Sequence, residues 1–243
     1  MRILVTGSAD GLGKLAAVSL LDAGHEVVVH VRNADRTGAI RELIGRGAGL
    51  VVGDLGDLDQ TRDVAEQVNR LGRMDAVIHN AGVYSGAAVA AVNVVAPYVL
   101  TASMARPDRL VYLSSGMHRG GRPFTVGPTW ARSGISYSDS KLYVTTLAVA
   151  VARFWPGVPS NAVDPGWVPT RMGGSSAPDD LTLGHRTQEW LATSTDPDAL
   201  TSGGYWHHRR RQEPHPSVRD ERFQARLLDS LAAFTGVTVA ADR

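Results

Sequence analysis

Ile3-Leu4-Val5-Thr6-Gly7-Ser8-Ala9-Asp10-Gly11-Leu12-Gly13 is the stretch that decides the fold: an apolar run passes without a break into a turn carrying glycines at 7, 11 and 13. A short apolar run closed by a glycine turn reads as a buried strand, and residues 12–23 after the turn read as a helix. Glycines at such a junction let the chain turn sharply and bring its backbone close to a pyrophosphate, whose charge is held by free amides at the helix N-terminus. The spacing Gly-x-x-x-Gly-x-Gly is neither the usual dinucleotide fingerprint nor a phosphate loop closing on Gly-Lys-Ser/Thr, which argues against a nucleoside-triphosphatase. The plainer reading of the same glycines is a tight turn with no ligand.

Outward from this turn, short apolar runs alternate with longer amphipathic stretches, the pattern of β-α units and a parallel sheet. Strands are expected at 3–5, 26–31, 50–52, 76–79, 110–113 and 161–163, with a seventh at 204–207. Helices are expected at 12–23, 36–45, 57–71, 88–104 with a break near Pro97, and 136–154. Asp57-Leu58-Asp59-Gln60 fits a capping box opening the third helix. Near the end, Phe223, Leu227, Leu228, Leu231 and Phe234 recur at helical spacing and predict a helix packed on the body. No repeat, low-complexity tract or linker divides the chain. The fold class expected is α/β: a single domain over residues 1–243 with a doubly wound parallel sheet of about seven strands, the Rossmann arrangement.

Composition narrows the function. A chain of 243 residues with a formal net charge of +1 carries no field directed at nucleic acid or a membrane, and neither partner is expected. The absence of cysteine excludes disulfides, thiolate metal sites and a cysteine nucleophile, and no metal is expected. No apolar stretch is long enough for a signal peptide or a membrane span, so a cytoplasmic protein is expected. Only two of the 25 basic residues are lysines, Lys14 and Lys141. A chain that otherwise uses arginine keeps lysine where a compact ammonium is needed, although a GC-rich genome produces the same scarcity. Lys141 stands four residues after Tyr137, which on a helix puts phenol and ammonium on one face.

Placed at successive strand ends, these motifs resemble the classical short-chain dehydrogenase/reductase family over nearly the whole chain. They are the Thr6-Gly7-x-x-x-Gly11-x-Gly13 turn, Asp54-Leu55, Asn80-Ala81-Gly82, Asn93 with Pro97, Ser115, Tyr137 with Lys141, and Pro165-Gly166 with Thr170. The 22-residue interval from Ser115 to Tyr137 is similar to that of the retinol-dehydrogenase-like group. The resemblance implies an NAD(P)-dependent oxidoreductase that transfers a hydride between a nicotinamide and a carbonyl or alcohol. It implies Tyr137 as proton donor and acceptor, Lys141 favouring the phenolate and binding the nicotinamide ribose, and Ser115 on the carbonyl oxygen. Asn93 would hold a backbone kink and a water that carries protons from Lys141 to solvent. Ser114, next to Ser115, is read as strand-end packing.

By the same resemblance, cofactor contacts fall on Thr6, Gly7, Ser8, Asp10, Gly11, Leu12 and Gly13, on Arg32, Asp54 and Leu55, on Asn80, Ala81 and Gly82, on Tyr137 and Lys141, and on Pro165, Gly166, Val168 and Thr170. Where an acidic residue would bind the adenosine ribose, the chain has His30-Val31-Arg32-Asn33, and a guanidinium there favours NADP(H) over NAD(H) by pairing with the 2′-phosphate. Asp10 argues mildly the other way, Lys14 reads as a solvated helix residue, and Asp54 either accepts from the adenine amino group or caps a turn.

Two segments, about 116–135 and 167–190, are expected beside the substrate, the first holding Gly120-Gly121, Pro123, Pro128 and Trp130. Tyr84, Met117, His118, Trp130, Trp167 and Met172 are candidates for an apolar wall suited to a hydrophobic carbonyl compound, and Gly173-Gly174-Ser175-Ser176 for a lid. His207-His208-Arg209-Arg210-Arg211 reads as solvated surface, because adjacent histidines on a strand point oppositely. His79 stands where the family commonly has asparagine, and the short interval from Gly82 to Asn93 removes part of the region on which many members build a homodimer surface. Two other classes stay open: a catalytically silent dinucleotide-binding sensor or scaffold, and a nucleotide-sugar epimerase or dehydratase, whose chain is usually longer.

Overall fold

A computed structural model describes residues 1–124, 130 and 134–240. Its strands are β1 Arg2–Val5, β2 Glu26–Val31, β3 Gly49–Val52, β4 Ala76–His79, β5 Arg109–Leu113, β6 Ser160–Asp164, β7 Tyr205–His207 and β8 Arg210–Gln212. They form one sheet in the order β3-β2-β1-β4-β5-β6-β7-β8, parallel except for the last pair. The sequence expected about seven strands; the eighth is a short antiparallel return of β7, too polar in Arg210-Arg211-Gln212 to announce itself. The chain order leaps from β3 to β4 across β1, so a crevice opens above the C-terminal ends of β1 and β4.

The helices are α1 Gly11–Asp22, α2 Arg41–Gly45, α3 Leu58–Leu71, α4 Ala96–Ser103, α5 Tyr137–Phe154, α6 Leu181–Thr193 and α7 Glu221–Thr235. They cover both faces, which is why the interior strands are apolar without alternation. On one face Leu4, Val28, Val77, Leu110 and Tyr112 pack with α3, α4, α5 and α7. On the other, Ile3, Val5, Val29, Ile78 and Val111 pack with α1 and α6.

Three expectations need correction. Residues 36–45 are not one helix: a 3-10 helix over Ala34–Ile40 precedes the short α2, and Thr37 Oγ1 donates to the Ala34 carbonyl at 2.7 Å within it. Gly38 in its middle further weakens an α-helix. The break expected near Pro97 lies just before it, as a π turn over Ala91–Val95 that leads into α4, with the proline in the first turn where its missing N–H costs nothing. The segment 167–190 is a loop only in its first part; α6 starts at Leu181, capped by the Asp180 carboxylate. That helix was illegible because its buried face includes His185, Thr187 and Gln188.

One cap is half made. Asp57 accepts from the Gln60 amide at 2.9 Å, but the Gln60 side chain turns away to accept from the Asp54 amide at 2.9 Å. The complete capping box belongs to Ser136 and Asp139, which start α5 at Tyr137.

Candidate active site

At Gly7 and Gly13 the glycine turn is packed too tightly for a side chain. A Cβ on Gly7, whose φ is +69°, would stand 2.9 Å from Ala81 Cα, and one on Gly13 would stand 2.4 Å from the Gly7 carbonyl oxygen and 2.3 Å from Asn80 Nδ2. The turn is thereby seated on the segment after β4: Asn80 Nδ2 donates to the Thr6 carbonyl at 2.9 Å, and the Ala81 amide donates to Thr6 Oγ1 at 3.0 Å. Ser8 faces inward, donating to the Val5 carbonyl and accepting from the His30 amide. His30 lies beneath. The Gly7 amide donates to its Nδ1, so Nε2 carries the proton and donates to the Gly53 carbonyl at 2.9 Å; burial holds its pKa below the usual histidine value. Asp10 precedes α1 without capping it, which leaves first-turn amides aimed outward.

Above this turn runs a cleft of about 1040 Å³. Gly7, Asp10, Gly11 and Leu12 form its floor, Arg32, Asp54 and Leu55 one end, and Asn80, Ala81 and Gly82 its middle. Leu113, Ser114, Tyr137 and Lys141 close the other end, with Pro165 and Thr170 on the far lip. Of the expected cofactor residues, Thr6, Ser8, Gly13, Gly166 and Val168 are not on this wall. They shape it from behind: Gly166, at φ +81°, turns the chain so that the Trp167 amide reaches Asp179, while Val168 is buried against Gly184.

At the end under β2 and β3, Arg32 Nε lies 4.0 Å from Asp54 Oδ2, and the Asp54 Oδ1 accepts from the Gly56 amide at 2.8 Å. Asp54 thus closes a turn and neighbours the guanidinium. Arg36, a residue the sequence reading passed over, reaches the same wall and pairs with Asp10 at 2.7 Å. Read as the first residue of a regular helix it had no reason to face the glycine turn; the 3-10 turn carries it there. Lys14 instead donates to the Ala39 carbonyl at 2.9 Å.

At the opposite end Tyr137 is the first residue of α5 and Lys141 sits one turn later, its Nζ 5.5 Å from the phenol ring centroid. Lys141 is buried, and Nζ donates to the Leu113 carbonyl at 2.7 Å. Burial pulls its pKa down to about 8, against an opposing pull from Asp164. Tyr137 is pushed up to about 12, first by burial, then by the charge of Asp164, while a hydrogen bond with Ser115 works the other way. Ser114 lines the cleft but its Oγ is tied to Thr145 Oγ1 at 2.5 Å; Ser115 lies off that wall, its Oγ accepting from the Met117 amide at 3.2 Å, and it is the serine that bears on the Tyr137 phenol. Asn93 lies in the π turn; its Oδ1 accepts from the Val83 amide at 2.8 Å and its Nδ2 donates to the Val83 carbonyl and to Ser140 Oγ at 2.9 Å each.

The substrate-wall candidates separate. Tyr84 and Met172 line the cleft, and the Tyr84 ring lies 4.9 Å from that of Tyr137. Trp167 is exposed and off the wall, its indole N–H donating to the Gly173 carbonyl at 2.8 Å. That bond, with Gly173 and Gly174 amides on Thr170, pins the segment expected to act as a lid. Met117 is exposed elsewhere. His118 and Trp130 are no wall at all: both are fully buried, Trp130 edge-on to Tyr143 in the core. Gly121 lies against α5, where a Cβ would meet the Ser138 carbonyl oxygen at 2.6 Å; Pro128 falls outside the described residues. The two adjacent histidines do not point oppositely. They stack at 3.9 Å, because His208 and Arg209, at φ +48° and +60°, make the tight turn into β8. No group of three or more His, Asp or Glu among the described residues is arranged to hold a metal.

The family model for short chain dehydrogenase matches residues 1–105. An uncharacterized oxidoreductase of Emericella nidulans is 37% identical, covering 98% of each chain. A short-chain dehydrogenase of Penicillium rubens is 34% identical over 99% of each. Among solved structures, an uncharacterized protein from Mycobacterium paratuberculosis superposes with a TM-score of 0.79 at 21% identity, over 98% of this chain and 94% of that one. A blue fluorescent protein from a metagenomic library, solved with NADPH, superposes with a TM-score of 0.69 at 22% identity, over 85% and 95%.

Proposed function

Since this chain belongs to the short-chain dehydrogenase/reductase family and is an NAD(P)-dependent oxidoreductase acting on CH–OH and C=O groups of a small molecule, we propose that it works as a carbonyl reductase with Tyr137 as its proton donor. The observation that carries this is the meeting of Tyr137 and Lys141 at one end of a cleft whose floor is a glycine turn, with Ser115 off the wall and bearing on the Tyr137 phenol. A nicotinamide dinucleotide supplies the hydride when bound there. The chain's own residues suit it: the uncapped amides of α1 would meet a diphosphate, Gly7 and Gly11 on the floor keep the backbone bare there, and Gly13 lets the turn seat on Asn80. Gly11 and Leu12 with Asn80, Ala81 and Gly82 would hold its length, and Pro165 and Thr170 would flank the nicotinamide end.

A phenol pushed up to about 12 is protonated at neutral pH and ready to give its proton to a carbonyl oxygen. Ser115 donates to the same oxygen and orients it, Lys141 holds a positive charge one turn away, and Asn93 fixes the π turn behind them. Tyr84 and Met172 favour an apolar carbonyl compound. Arg32, seconded by Arg36, favours NADP(H) over NAD(H), because both guanidinium groups line the cleft and would pair with a 2′-phosphate there. One catalytic unit over 1–243 and a cytoplasmic setting, which cell fractionation tests, complete the reading. No helix among the described residues is long and apolar enough to cross a membrane.

The deciding experiment is Tyr137→Phe. Reduction of an NADPH-dependent carbonyl substrate found by screening falls by about 10² to 10⁴ while NADPH binding persists. Undiminished turnover refutes the assignment, and binding without any turnover in the native protein moves the silent-sensor reading to first place.

A further inference from the structure

Behind the reactive end lies a buried carboxylate that this assignment leaves unused. Asp164 is the last residue of β6 and 9% exposed. Its Oδ1 accepts from the Gly166 amide at 3.0 Å and its Oδ2 from the Tyr205 phenol at 3.0 Å. Strand pairing sets this up, because β7 runs parallel to β6 with Ala162 opposite Tyr205 and Asp164 opposite His207, putting Asp164 and Tyr205 on one face. A Cβ on Gly116 would stand 3.1 Å from Asp164 Oδ2, so the carboxylate is pressed against the backbone that follows Ser115.

The same backbone is held from its other side. The His215 amide donates to His118 Nε2 at 3.0 Å, which leaves the proton on Nδ1, and Nδ1 donates to the Ser115 carbonyl at 2.8 Å. The His118 ring lies 4.4 Å from that of Tyr205. His118, Asp164 and Tyr205 therefore form a second layer beneath Ser115.

A buried carboxylate needs a positive counterpart. Arg119 faces it across the Tyr205 ring but is bound to Gln212 and to the Glu213 carbonyl. His207 Nδ1 is 3.8 Å from its Oδ2, and His208, stacked on His207, feels the charges of Asp179, Asp164 and Asp180. On the α5 side stand Tyr137 and Lys141: the buried Lys141 Nζ donates to the carbonyl of Leu113 at the end of β5, and Leu113 pairs with Val163, the residue before Asp164, so ammonium and carboxylate meet at adjoining strand ends.

We propose that Asp164 is a positioning residue for the reaction: held by Tyr205 and Gly166 against the Ser115–Gly116 backbone, its carboxylate supplies the negative charge that keeps Lys141 an ammonium beside Tyr137. This rests on the catalytic assignment of Tyr137 and Lys141 given above. Asp164 touches no reacting atom and acts through Lys141 and the Ser115 backbone. Its charge strengthens the hold of both Lys141 and Tyr137 on their protons, so removing it lowers the pH at which the pair titrates, whichever member is followed.

The chain's two lysines make the test direct, since protein labelled with ¹³Cε-lysine gives one resonance for Lys141 and one for Lys14 as an internal control. In Asp164→Asn the Lys141 midpoint falls, because the charge that raises it is gone, while Lys14 does not move. The kcat/KM profile for the screened carbonyl substrate moves in the same direction, with KM little changed. Tyr205→Phe removes a hydrogen bond but keeps the charge, and its Lys141 midpoint stays or rises. An unmoved midpoint in folded Asp164→Asn overturns the proposal, as does an equal fall in Tyr205→Phe; Asp164→Ser repeats the measurement where the amide does not fold. Turnover retained by Tyr137→Phe overturns the catalytic assignment and this proposal together, whereas an inactive Tyr137→Phe with an unmoved Lys141 midpoint overturns this proposal alone.

Discussion

Replacing Arg32 with alanine tests the cofactor reading at its least protected point. The guanidinium is two-thirds exposed, and its nearest charge, Asp54, lies at 4.0 Å, too far for a firm pair. It is therefore available to a phosphate, but the contact forms in a solvated rim where ions screen it. A charge-assisted hydrogen bond contributes about 1.5–3 kcal/mol when well shielded. Discounted for exposure, about 1.5 kcal/mol is left, or about tenfold in Kd. Arg36 contributes less, because Asp10 already holds it at 2.7 Å and that pair must open or be shared. The expected order of NADPH affinity is thus native, then Arg36→Ala, then Arg32→Ala, then the double variant, with NADH binding nearly level across all four. Fluorescence titration of the bound dihydronicotinamide reads both cofactors, and the native preference for NADPH narrows as salt rises. Equal weakening of NADH and NADPH by Arg32→Ala would refute the reasoning, since it would locate the guanidinium on a part common to both cofactors.

Gly13→Ala places a methyl 2.4 Å from a backbone oxygen that cannot yield, and dinucleotide binding is lost together with stability of about 3 kcal/mol or more, measured by denaturant unfolding. Lys141→Arg keeps the charge but forces a planar fork into the buried position where Nζ meets the Leu113 carbonyl; kcat falls at least about 10²-fold, and activity within a few-fold of native would contradict a compact-ammonium requirement. His79 is buried, and burial pulls its pKa down to about 3, below the ordinary value of 6.5. Between those two pH values the unfolded chain binds a proton that the folded one refuses, so stability falls as pH drops, by up to about 1.4 kcal/mol per pH unit from this residue. His79→Phe, which keeps a ring against Tyr112, shows a shallower loss of stability from pH 6.5 to 4 in urea titrations, and an unchanged slope would show that His79 is not the source.

Much of this architecture was legible because its signals are local. The run Ile3-Leu4-Val5 ending in the glycine turn needed only burial and a tight approach to be read, and every residue of that run is fully buried in the structure. Tyr137 and Lys141 were legible as neighbours on one helix face from their spacing, and as a catalytic pair only through the family resemblance that the surrounding motifs carry. What escaped depends on partners remote in sequence. Trp130 looks like a loop aromatic until Tyr143 and Ser230 enclose it, and His118 looks like a loop histidine until His215, 97 residues away, binds its ring. Arg36 was hidden by a wrong local structure, since a regular helix at 36–45 sends it elsewhere. The stacked pair His207 and His208 was misread because strand alternation does not survive two positive-φ residues in a turn.

Asp164 shows why remote partners matter for the chemistry as well as the fold. In the sequence it is one residue before Pro165-Gly166 and carries no motif of its own. Folding sets it between Tyr205, Gly166 and the backbone of Ser115, and so brings a negative charge to bear on a lysine whose ammonium burial disfavours. Lys141 donates to the carbonyl of Leu113, the last residue of β5, while Asp164 ends β6, the strand beside it. The two adjoining strand ends therefore deliver an acceptor for the ammonium and a charge to balance it, and α5, started by the Ser136–Asp139 capping box, delivers the ammonium and the phenol one turn apart. A shift of α5 by one residue would separate all of these, which makes that cap part of the site's geometry: Ser136→Ala, removing about 1 kcal/mol of capping, should reduce kcat more than it reduces cofactor affinity.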